Sequence, residues 1–438
     1  MTISRRQLLG AAGATGLAAA AGATRWWPED AANAASSTST RTGTTSVLPA
    51  PGKSGIEHVV VVMMENRSFD HFLGWLPGAD GKQAGLTYKD RYGVRHQTHH
   101  LEAFDSCGFH DPDHSYEGGR IQLNGGKCNG FLRSGQNDLL AIGYYTDADL
   151  PFYAGAARDW TTFDRYFSAV MAETYPNRFY MHAAQTDRLH NNTSQCTLKT
   201  IWDRLAAKGV SGKYYYSDVP FTALWYGTHQ DISFHFADFL TDAAAGTLPA
   251  VSFVDPRFQD EESGTSNDDH PHADVRAGQA FLNQVYDAVR NGPGWEKTVL
   301  VINYDEWGGF YDHVPPTTAP DVSPKTALRG FRVPALMISP LARRNYISHH
   351  VYDHTSVLKM IEWRWGLKPL TPRDANARNI AEVLDFTSPP NTASPTYTVP
   401  TVTPLGCATA PKEEGGAEFA EWGELKELAL DQGWRLPN

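Results

Sequence analysis

The chain has 438 residues, of which 41% are hydrophobic and 12% are aromatic, so it is long enough and apolar enough to bury a large core. Its formal net charge is −11 at pH 7, which argues against nucleic acid as a partner and against tight, charge-driven docking on an anionic membrane. One large globular domain, or one domain with a small appendage, is the expected organisation.

The first residues carry the pattern of an export signal. Arg5 and Arg6 precede a Gly/Ala/Leu stretch that runs to Ala23, and this stretch is too short and too weakly apolar to span a bilayer stably. Residues 32–34 have the small-x-small pattern that signal peptidase cuts. We therefore predict a twin-arginine signal peptide over residues 1–34, and a secreted or cell-envelope protein exported in folded form. An ordinary Ala-rich helix is the alternative.

Composition divides the rest of the chain into three parts. Residues 35–54 begin with a Ser/Thr-rich run and are predicted to be a disordered lead-in. Residues 55–387 are predicted to form the catalytic domain, since they contain the apolar pattern and the motifs described below. Residues 388–438 start Pro/Thr-rich, end in a short helical pattern, and are predicted to be a C-terminal extension.

The four cysteines are consistent with export. Cys107, Cys128, Cys196 and Cys407 lack the close-paired spacing of a zinc site. Disulfides are permitted outside the cytosol, and four cysteines allow three connectivities. A bond between Cys107 and Cys128 is the favoured prediction, because these two residues flank one loop-like region.

Short apolar runs alternate with helical patterns along the predicted catalytic domain. Residues 273–290 repeat apolar side chains near the helical period. Four runs predict buried strands, at residues 59–64, 250–254, 298–304 and 333–338. Continuous apolar strands alternating with helices predict an α/β fold, in which a largely parallel sheet is covered on both faces.

Two of these runs end in acids. Glu65 and Asn66 come directly after the first run, and Asp305 and Glu306 directly after the third. Ligands of α/β sheets bind beyond the carboxyl ends of the strands, so both pairs are expected at one active edge. Their hard oxygens suit Mg²⁺, Ca²⁺ or Mn²⁺. Acidic caps on strand ends are the alternative interpretation.

A short helix is expected immediately after the first acidic pair. Ser68 and Asp70 favour helix N-termini, so this helix is predicted to begin at Phe69. Arg67 is predicted to brace the same turn, and His71 is assigned a structural role.

A possible nucleophile lies in the sequence "TYPNR", residues 174–178. Thr174, followed by Pro176 and Arg178, resembles the nucleophile turn of sulfatases and phosphatases. A hydroxyl is a weak nucleophile at neutral pH unless a metal or a base lowers its pKa, and a rigid turn holds it in line with phosphorus. A sulfatase is disfavoured, because its formylglycine derives from Cys or Ser. A plain proline turn is the alternative.

Histidines supply the remaining chemistry. His114 and His270 lie in proline-flanked clusters with several acids, "HDPDHSYEG" and "NDDHPHAD". A histidine at such a site donates to the phosphoryl oxygens or protonates the leaving alkoxide. Most histidines of an enzyme are structural or exposed, and this is the alternative for each of them.

Four motifs in order now resemble a known family. "ENRSFDHFLG", "TYPNR", "NDDHP" and "YDEWGGFYDHVPP" are similar to those of the bacterial and plant phosphoesterase family of non-specific, phosphatidylcholine-hydrolysing phospholipases C and related acid phosphatases. The resemblance spans residues 56–367. It implies an alkaline-phosphatase-like three-layer α/β/α sandwich with a mostly parallel central sheet.

The resemblance also implies a site. The implied site requires a divalent metal ion, which could be Ca²⁺, Mg²⁺, Mn²⁺ or Zn²⁺. It also requires a threonine nucleophile whose oxygen faces the metal. Arg178 and Asn177 support the nucleophile turn. The implied metal ligands are Glu65, Asn66, Asp305, Glu306 and Thr174, and the implied catalytic residues are Thr174, His114, His270 and His235, the last preferred over His229.

The implied function is that of a secreted metal-dependent phosphoesterase. A phospholipase C that cleaves glycerophospholipids such as phosphatidylcholine, through a phosphothreonyl-type intermediate, is preferred. An acid phosphatase is the alternative, and a non-catalytic metal- or lipid-binding protein is a third possibility. The expected partners are a phospholipid or other phosphate ester and a transiently contacted membrane surface. The aromatic residues available for a choline group, although such residues are more often core, are Trp160, Trp225, Tyr226 and Trp307.

Overall fold

A computed structural model describes residues 48–259, 264–408 and 417–437, with side chains omitted for residues 417–421. The described residues all belong to one compact unit, Thr45–Asn438. The predicted signal peptide, residues 1–34, and most of the predicted lead-in lie outside them. Within the described ranges, no helix has both the length and the apolar character that crossing a membrane requires.

The described chain contains fourteen strands, ten α-helices and several short 3₁₀ helices. The strands are β1 His58–Met64, β2 Thr87–Lys89, β3 Arg95–Gln97, β4 His99–His100, β5 Gly143–Tyr144, β6 Thr161–Phe163, β7 Tyr166–Phe167, β8 Gly212–Tyr216, β9 Ser233–His235, β10 Val251–Val254, β11 Thr298–Tyr304, β12 Ala335–Ile338, β13 Tyr346–Ser348 and β14 Tyr352–Asp353. The helices are α1 Phe69–Leu73, α2 Tyr116–Leu123, α3 Pro151–Asp159, α4 Thr174–Ala183, α5 Ile201–Lys208, α6 Phe236–Ala245, α7 Val275–Asn291, α8 His354–Trp365, α9 Pro372–Ala375 and α10 Ala417–Asp431.

Eight strands form the central sheet, in the order β13-β6-β12-β11-β1-β10-β8-β9. β1 pairs in parallel with β10 and β11, so that Val60 lies between Ser252 and Leu300. Only β12, among the strands of this sheet, runs antiparallel to its neighbours. The predicted α/β fold with a mostly parallel sheet is therefore confirmed.

The four predicted strands are present, as β1, β10, β11 and β12. Every residue of β11 is buried, and because successive side chains point to opposite faces, both faces of the sheet must be covered. The helix predicted at residues 273–290 is α7, which begins after Asp274, whose side chain accepts from Arg276 N. The apolar runs alone could not show that β12 is reversed.

The helix predicted after the first acidic pair is α1. Ser68 is its N-cap and accepts a hydrogen bond from His71 N at 3.3 Å. His71 is fully buried and stacks on Phe310 at 3.9 Å between ring centroids, and burial lowers its pKa well below the ordinary value. Asp70 does more than the predicted capping, because its carboxylate pairs with buried Arg332 at 3.0 Å.

The predicted disulfide is wrong. Cys107 is bonded to Cys407, which lies in the C-terminal extension, with 5.3 Å between their Cα atoms. Cys128 and Cys196 are free and buried. Cys128 packs instead in an apolar cluster with Phe131 and other side chains. Proximity in sequence misled the prediction, because the extension returns across the domain and brings Cys407 to the loop that precedes α2.

We expect Cys407→Ser to lower the free energy of unfolding by about 2–4 kcal/mol, because the bond constrains a long loop of the unfolded chain. The bond spans 300 residues. Thermal denaturation without reductant measures the change, and Cys128→Ala is the control that leaves the bond in place. Peptide mapping that found Cys107 joined to Cys128 would contradict this pairing.

One buried acid makes stability depend on pH. Glu362 lies on α8 with 3% of its surface exposed. Burial, followed by the neighbouring carboxyl group of Asp374, raises its pKa from 4.5 to about 9. The folded chain therefore keeps this proton in a pH range where the unfolded chain releases it. The stability that the proton provides is complete below pH 4.5 and is lost as the pH rises towards 9.

Glu362→Gln should raise the melting temperature at about pH 8 and change it little at about pH 4, because an amide has no proton for the unfolded chain to release. Thermal scans at both pH values measure the difference. Exposed Glu296 supplies the control, Glu296→Gln, which should have little effect at either pH. A variant that is less stable than the parent at the higher pH would refute the pKa assignment.

Candidate active site

The two predicted acidic pairs meet at the carboxyl edge of the sheet. β1 and β11 are parallel neighbours in which Met64 pairs with Tyr304, so the residues that follow each strand lie side by side. Asn66 N donates to Asp305 Oδ1 at 3.2 Å. All four side chains of the two pairs, those of Glu65, Asn66, Asp305 and Glu306, are fully buried.

Local backbone conformation explains part of this sequence. Asn66 adopts a left-handed conformation, with φ 59°, which Asn tolerates better than most residues. Gly308 also has positive φ, 62°, and a Cβ atom there would collide with the backbone oxygen of Asn66. Glycine is therefore required where the segment after β11 crosses the segment after β1.

Thr174 is the first residue of α4, and its side chain faces the same cluster. Its Oγ1 donates to Asn66 Oδ1 at 3.3 Å, and only 3% of the residue is exposed. The helix N-terminus presents backbone N–H groups and a positive dipole end, which favour an anion such as a phosphoryl group. Asn177 holds the approach to the helix, because its Nδ2 donates to Ala172 O at 2.7 Å and its Oδ1 accepts from Val170 N at 3.0 Å.

Arg178 binds the carboxylates from behind. Its Nε donates to Glu65 Oε1 at 3.1 Å and its Nη1 to Asp255 Oδ1 at 3.1 Å, while Nε lies 3.5 Å from Asp305 Oδ2. Burial opposes the charged form of Arg178, yet these three carboxylates outweigh burial and raise its pKa. Arg178 therefore positions the carboxylates, and this is consistent with the supporting role predicted for it in the turn at residues 174–178.

The cluster fits a divalent cation. Three carboxylates, an amide oxygen and a hydroxyl lie buried on segments that adjoin at the sheet edge, and Arg178 offsets only part of their charge because it also pairs with Asp255. Burial raises the pKa of Asp305, against the opposing effect of Arg178. Asp305 Oδ2 accepts no hydrogen bond among the described residues. Arg178 Nε, 3.5 Å away, balances this buried oxygen only in part. A further cation would stabilise it, and oxygen ligands suit a hard one.

His114 borders the cluster and His270 lies beside His114, whereas their contact with a phosphoryl group stays a prediction. His114 Nε2 lies 3.3 Å from Asn66 Nδ2 and 3.8 Å from Glu306 Oε1. The two histidine rings are 5.8 Å apart, in an edge-to-face arrangement. Burial, and then the neighbouring His114, lower the pKa of His270 well below its ordinary value.

His235 is not brought to this cluster. It ends β9, the edge strand three places from β1, which is about 14 Å at the usual strand spacing. Its Nε2 is hydrogen-bonded to Arg435 O at 2.8 Å. His229 is elsewhere too, with its Nε2 3.3 Å from Thr200 Oγ1. The catalytic role assigned to His235 stays a prediction, and its position provides no contact that would support it.

A histidine that the sequence did not single out lies near the N-terminus of α4. His190 Nδ1 is 2.8 Å from the carboxylate of Glu173, the residue before Thr174, and its Nε2 is 3.6 Å from Glu117 Oε2. The sequence around His190, "DRLHNN", has neither the proline nor the dense acids that singled out the other histidines, so no local signal marked it.

Two acids near the site were also not predicted from the sequence. Asp255 directly follows β10, and the rule that identified Glu65 and Asp305, an acid after an apolar strand, applies to it equally. Asp111 lies in the motif of His114, and its Oδ2 is 4.0 Å from His114 Nδ1 and 3.8 Å from His270 Nε2. Asp111, His114 and His270 form a group close enough to hold a cation.

The tryptophans considered for a choline group belong to the core. Trp160 and Trp307 are fully buried, and Trp225 is 4% exposed. Tyr226 is 42% exposed at the end of a 3₁₀ helix, Phe221–Trp225. The alternative given for these tryptophans, packing in the core, is therefore the observed one.

The carboxyl edge of the sheet thus carries groups suited to the hydrolysis of a phosphoric ester. They are buried carboxylates, a hydroxyl at a helix N-terminus and two histidines. The chain belongs to the Phosphoesterase family, whose family model matches residues 56–368. It is thus a hydrolase that acts on phosphoric ester bonds.

Relatives with established names cover most of the chain. It is 32% identical to non-specific phospholipase C6 of Arabidopsis thaliana, over 86% of this chain and 81% of that protein. It is 28% identical to phospholipase C A of Mycobacterium tuberculosis, over 80% and 82% of the two chains. Among solved structures, it matches a protein of the alkaline phosphatase superfamily from Vibrio parahaemolyticus at 11% identity and a TM-score of 0.40, over 76% and 71% of the chains.

Arg178→Lys should lower activity and weaken metal affinity about 10- to 100-fold, because lysine keeps the charge but cannot bridge several carboxylates at once. Activity measured against divalent-cation concentration, with circular dichroism as a check of folding, shows the effect. Arg276→Lys is the matched control, since Arg276 pairs with Asp274 near the surface. A folded Arg178→Lys protein with the metal dependence of the parent would show that Arg178 does not position the ligands.

Proposed function

We propose that this protein is a secreted, metal-dependent phospholipase C that cleaves glycerophospholipids such as phosphatidylcholine to diacylglycerol and a phosphorylated head group. One observation carries the proposal: the Thr174 hydroxyl is hydrogen-bonded to Asn66 at 3.3 Å inside a cluster of buried carboxylates. The names of the plant and mycobacterial relatives support phospholipids as the substrate class.

The residues present support a double displacement. Thr174 Oγ1 attacks phosphorus and gives up its proton, the bond between phosphorus and the diacylglycerol oxygen breaks, and a histidine of the site delivers one proton to the departing alkoxide, so that protons balance over the step. Water then hydrolyses the phosphothreonyl ester and restores the hydroxyl. Asn66 Oδ1, which accepts from the threonine hydroxyl, orients the nucleophile for the attack.

The surrounding groups manage the charge that develops on the phosphoryl oxygens. In this mechanism the N-terminal N–H groups of α4 and the ring nitrogens of His114 and His270 contact these oxygens. His114 Nδ1 is hydrogen-bonded to Pro112 O at 2.8 Å, which fixes the ring and directs Nε2 at the cluster. Glu65, Asn66, Asp305, Glu306 and Thr174 would hold the cation. When bound, a divalent cation supplies positive charge that lowers the pKa of the nucleophile.

Export is part of the proposal. The twin-arginine pattern of the first residues motivates it, and a disulfide between Cys107 and Cys407 is compatible with an oxidising compartment. Transport of a folded protein would allow the metal to be loaded before secretion.

Thr174→Ala should abolish turnover, by at least about 10³-fold, because no other atom replaces the attacking oxygen. Thr174→Ser keeps a hydroxyl at the same position and should retain much of the activity. Both variants are assayed beside the parent, loaded with metal, on phosphatidylcholine and on p-nitrophenyl phosphate, with products identified by mass spectrometry.

Diacylglycerol and phosphocholine as products of the parent would support the phospholipase assignment. Phosphate released from the monoester alone would overturn it in favour of an acid phosphatase. An active Thr174→Ala protein with normal metal content would reject Thr174 as the nucleophile, whichever substrate is preferred.

A further inference from the structure

A cationic pocket lies between the β2–β3 hairpin and the chain that follows α2. It is a cavity of about 410 Å³, and most of its wall is polar. The cations that line it are Lys89, Arg91, Arg95 and Arg133, with the amides of Asn124 and Asn129 between them. In a chain with a net charge of −11, this concentration of positive charge on one exposed surface is unexpected.

The positive charge of the pocket is not neutralised from within. Among the described residues, none of its four cations pairs with a carboxylate. Arg133 Nη2 donates to Asn129 Oδ1 at 3.3 Å and Arg91 to Gly135 O. The acid in the lining is Asp90, whose Oδ1 accepts from Tyr92 N and whose Oδ2 pairs with His96 at 2.9 Å. The guanidinium groups are thus available to an anion from outside.

The tip of the same hairpin is apolar. Tyr92 is 84% exposed and Val94 is 53% exposed, and the two flank Gly93, whose positive φ of 84° makes the turn. Arg91 and Arg95 stand on either side of this tip. An exposed aromatic and aliphatic pair bordered by arginines suits the boundary between lipid head groups and acyl chains, where rings insert and arginines remain with the phosphates.

The hairpin is packed against the segments that form the site. Tyr88 of β2 contacts Tyr311, in the segment after Glu306, with 5.8 Å between ring centroids. α2 begins two residues after His114 and ends at the pocket, and its eight residues span about 12 Å. A surface held by the pocket would therefore lie close to the groups that perform the chemistry.

We propose that this pocket binds the phosphate of an anionic phospholipid head group, while the Tyr92–Val94 tip enters the membrane interface, so that the protein docks on anionic lipid surfaces. Arginine forks match phosphate oxygens in geometry and charge. The inference rests on the proposed function, since a phospholipase must reach substrate held in a bilayer. It also revises the expectation drawn from net charge, because docking depends on local charge.

Vesicle binding tests the proposal. The experiment uses the Thr174→Ala background, so that lipid is not consumed, and compares sedimentation with vesicles of phosphatidylcholine alone and of phosphatidylcholine with one-third phosphatidylglycerol. The protein should prefer the anionic vesicles. The double variant Arg91→Gln/Arg95→Gln should bind them about 30-fold more weakly, because each cation at an anionic surface contributes about 1 kcal/mol, or roughly fivefold.

A matched control changes the same amount of charge elsewhere. Lys208, the last residue of α5, and Lys368, which follows α8, are both exposed, so Lys208→Gln/Lys368→Gln should bind anionic vesicles as the parent does. Tyr92→Ser/Val94→Ser should weaken binding to both kinds of vesicle. All three double variants, made with Thr174 restored, should hydrolyse a soluble phosphocholine ester at the parental rate.

Equal binding to the two kinds of vesicle, or an Arg91→Gln/Arg95→Gln protein that binds like the control, would overturn the docking site. The docking site would also be overturned if the protein bound a single-stranded oligonucleotide instead of vesicles and if Arg91→Gln/Arg95→Gln abolished that binding. The soluble ester separates the two proposals. Parental turnover without vesicle preference rejects the docking site alone, whereas vesicle preference without turnover of any ester rejects the proposed function alone.

Discussion

The site depends on one buried arginine. Arg178 extends from α4 to carboxylates that follow three adjacent strands, namely Glu65 after β1, Asp255 after β10 and Asp305 after β11. Acids from three strand ends would repel one another in a medium of low dielectric. The guanidinium brings them together and, because it lies four residues after Thr174 on the same helix, also fixes the distance between the carboxylates and the Thr174 hydroxyl.

A second arginine has the same effect at the other end of the site. The segments that follow β1 and β11 run beside each other, and Arg332 pairs with Asp70 at 3.0 Å and with Asp312 at 2.9 Å where they leave the sheet. Arg178 and Arg332 are both buried. Breaking a buried pair leaves an uncompensated charge, which is strongly unfavourable. The two arginines therefore hold both segments to buried carboxylates.

The distribution of charge separates two tasks. The acids at the sheet edge are buried, where a cation can balance them, and they contribute to the negative net charge without facing a membrane. The exposed cations of the β2–β3 pocket lie on a separate surface and are unpaired among the described residues. The buried carboxylates of the site act mainly on groups close to them, whereas the exposed cations of the pocket can attract an anionic partner from solution. The net charge of the whole chain describes neither the site nor the pocket.

Local signals were enough for much of the molecule. Apolar runs predicted β1, β10, β11 and β12, a serine predicted the start of α1, and the acids directly after two strands predicted where a site would form. Asp255 could have been found in the same way. The pairing of Cys107 with Cys407 could not, because it depends on where a long extension returns. His190 likewise has no signal in the surrounding sequence, and the joining of Arg133 to the cations of residues 89–95 in one pocket depends on tertiary packing.

The sequence by itself determined what each segment is, because strand burial, helix capping and ligand chemistry depend on neighbours along the chain. Only the tertiary structure decided which segments meet. It placed β1 beside β11, joined Arg178 to three strand ends, and left His235 at the far edge of the sheet. The physical reason is that contacts between distant residues depend on the order of strands in the sheet and on the packing of helices over it, and neither is encoded in any short stretch of residues.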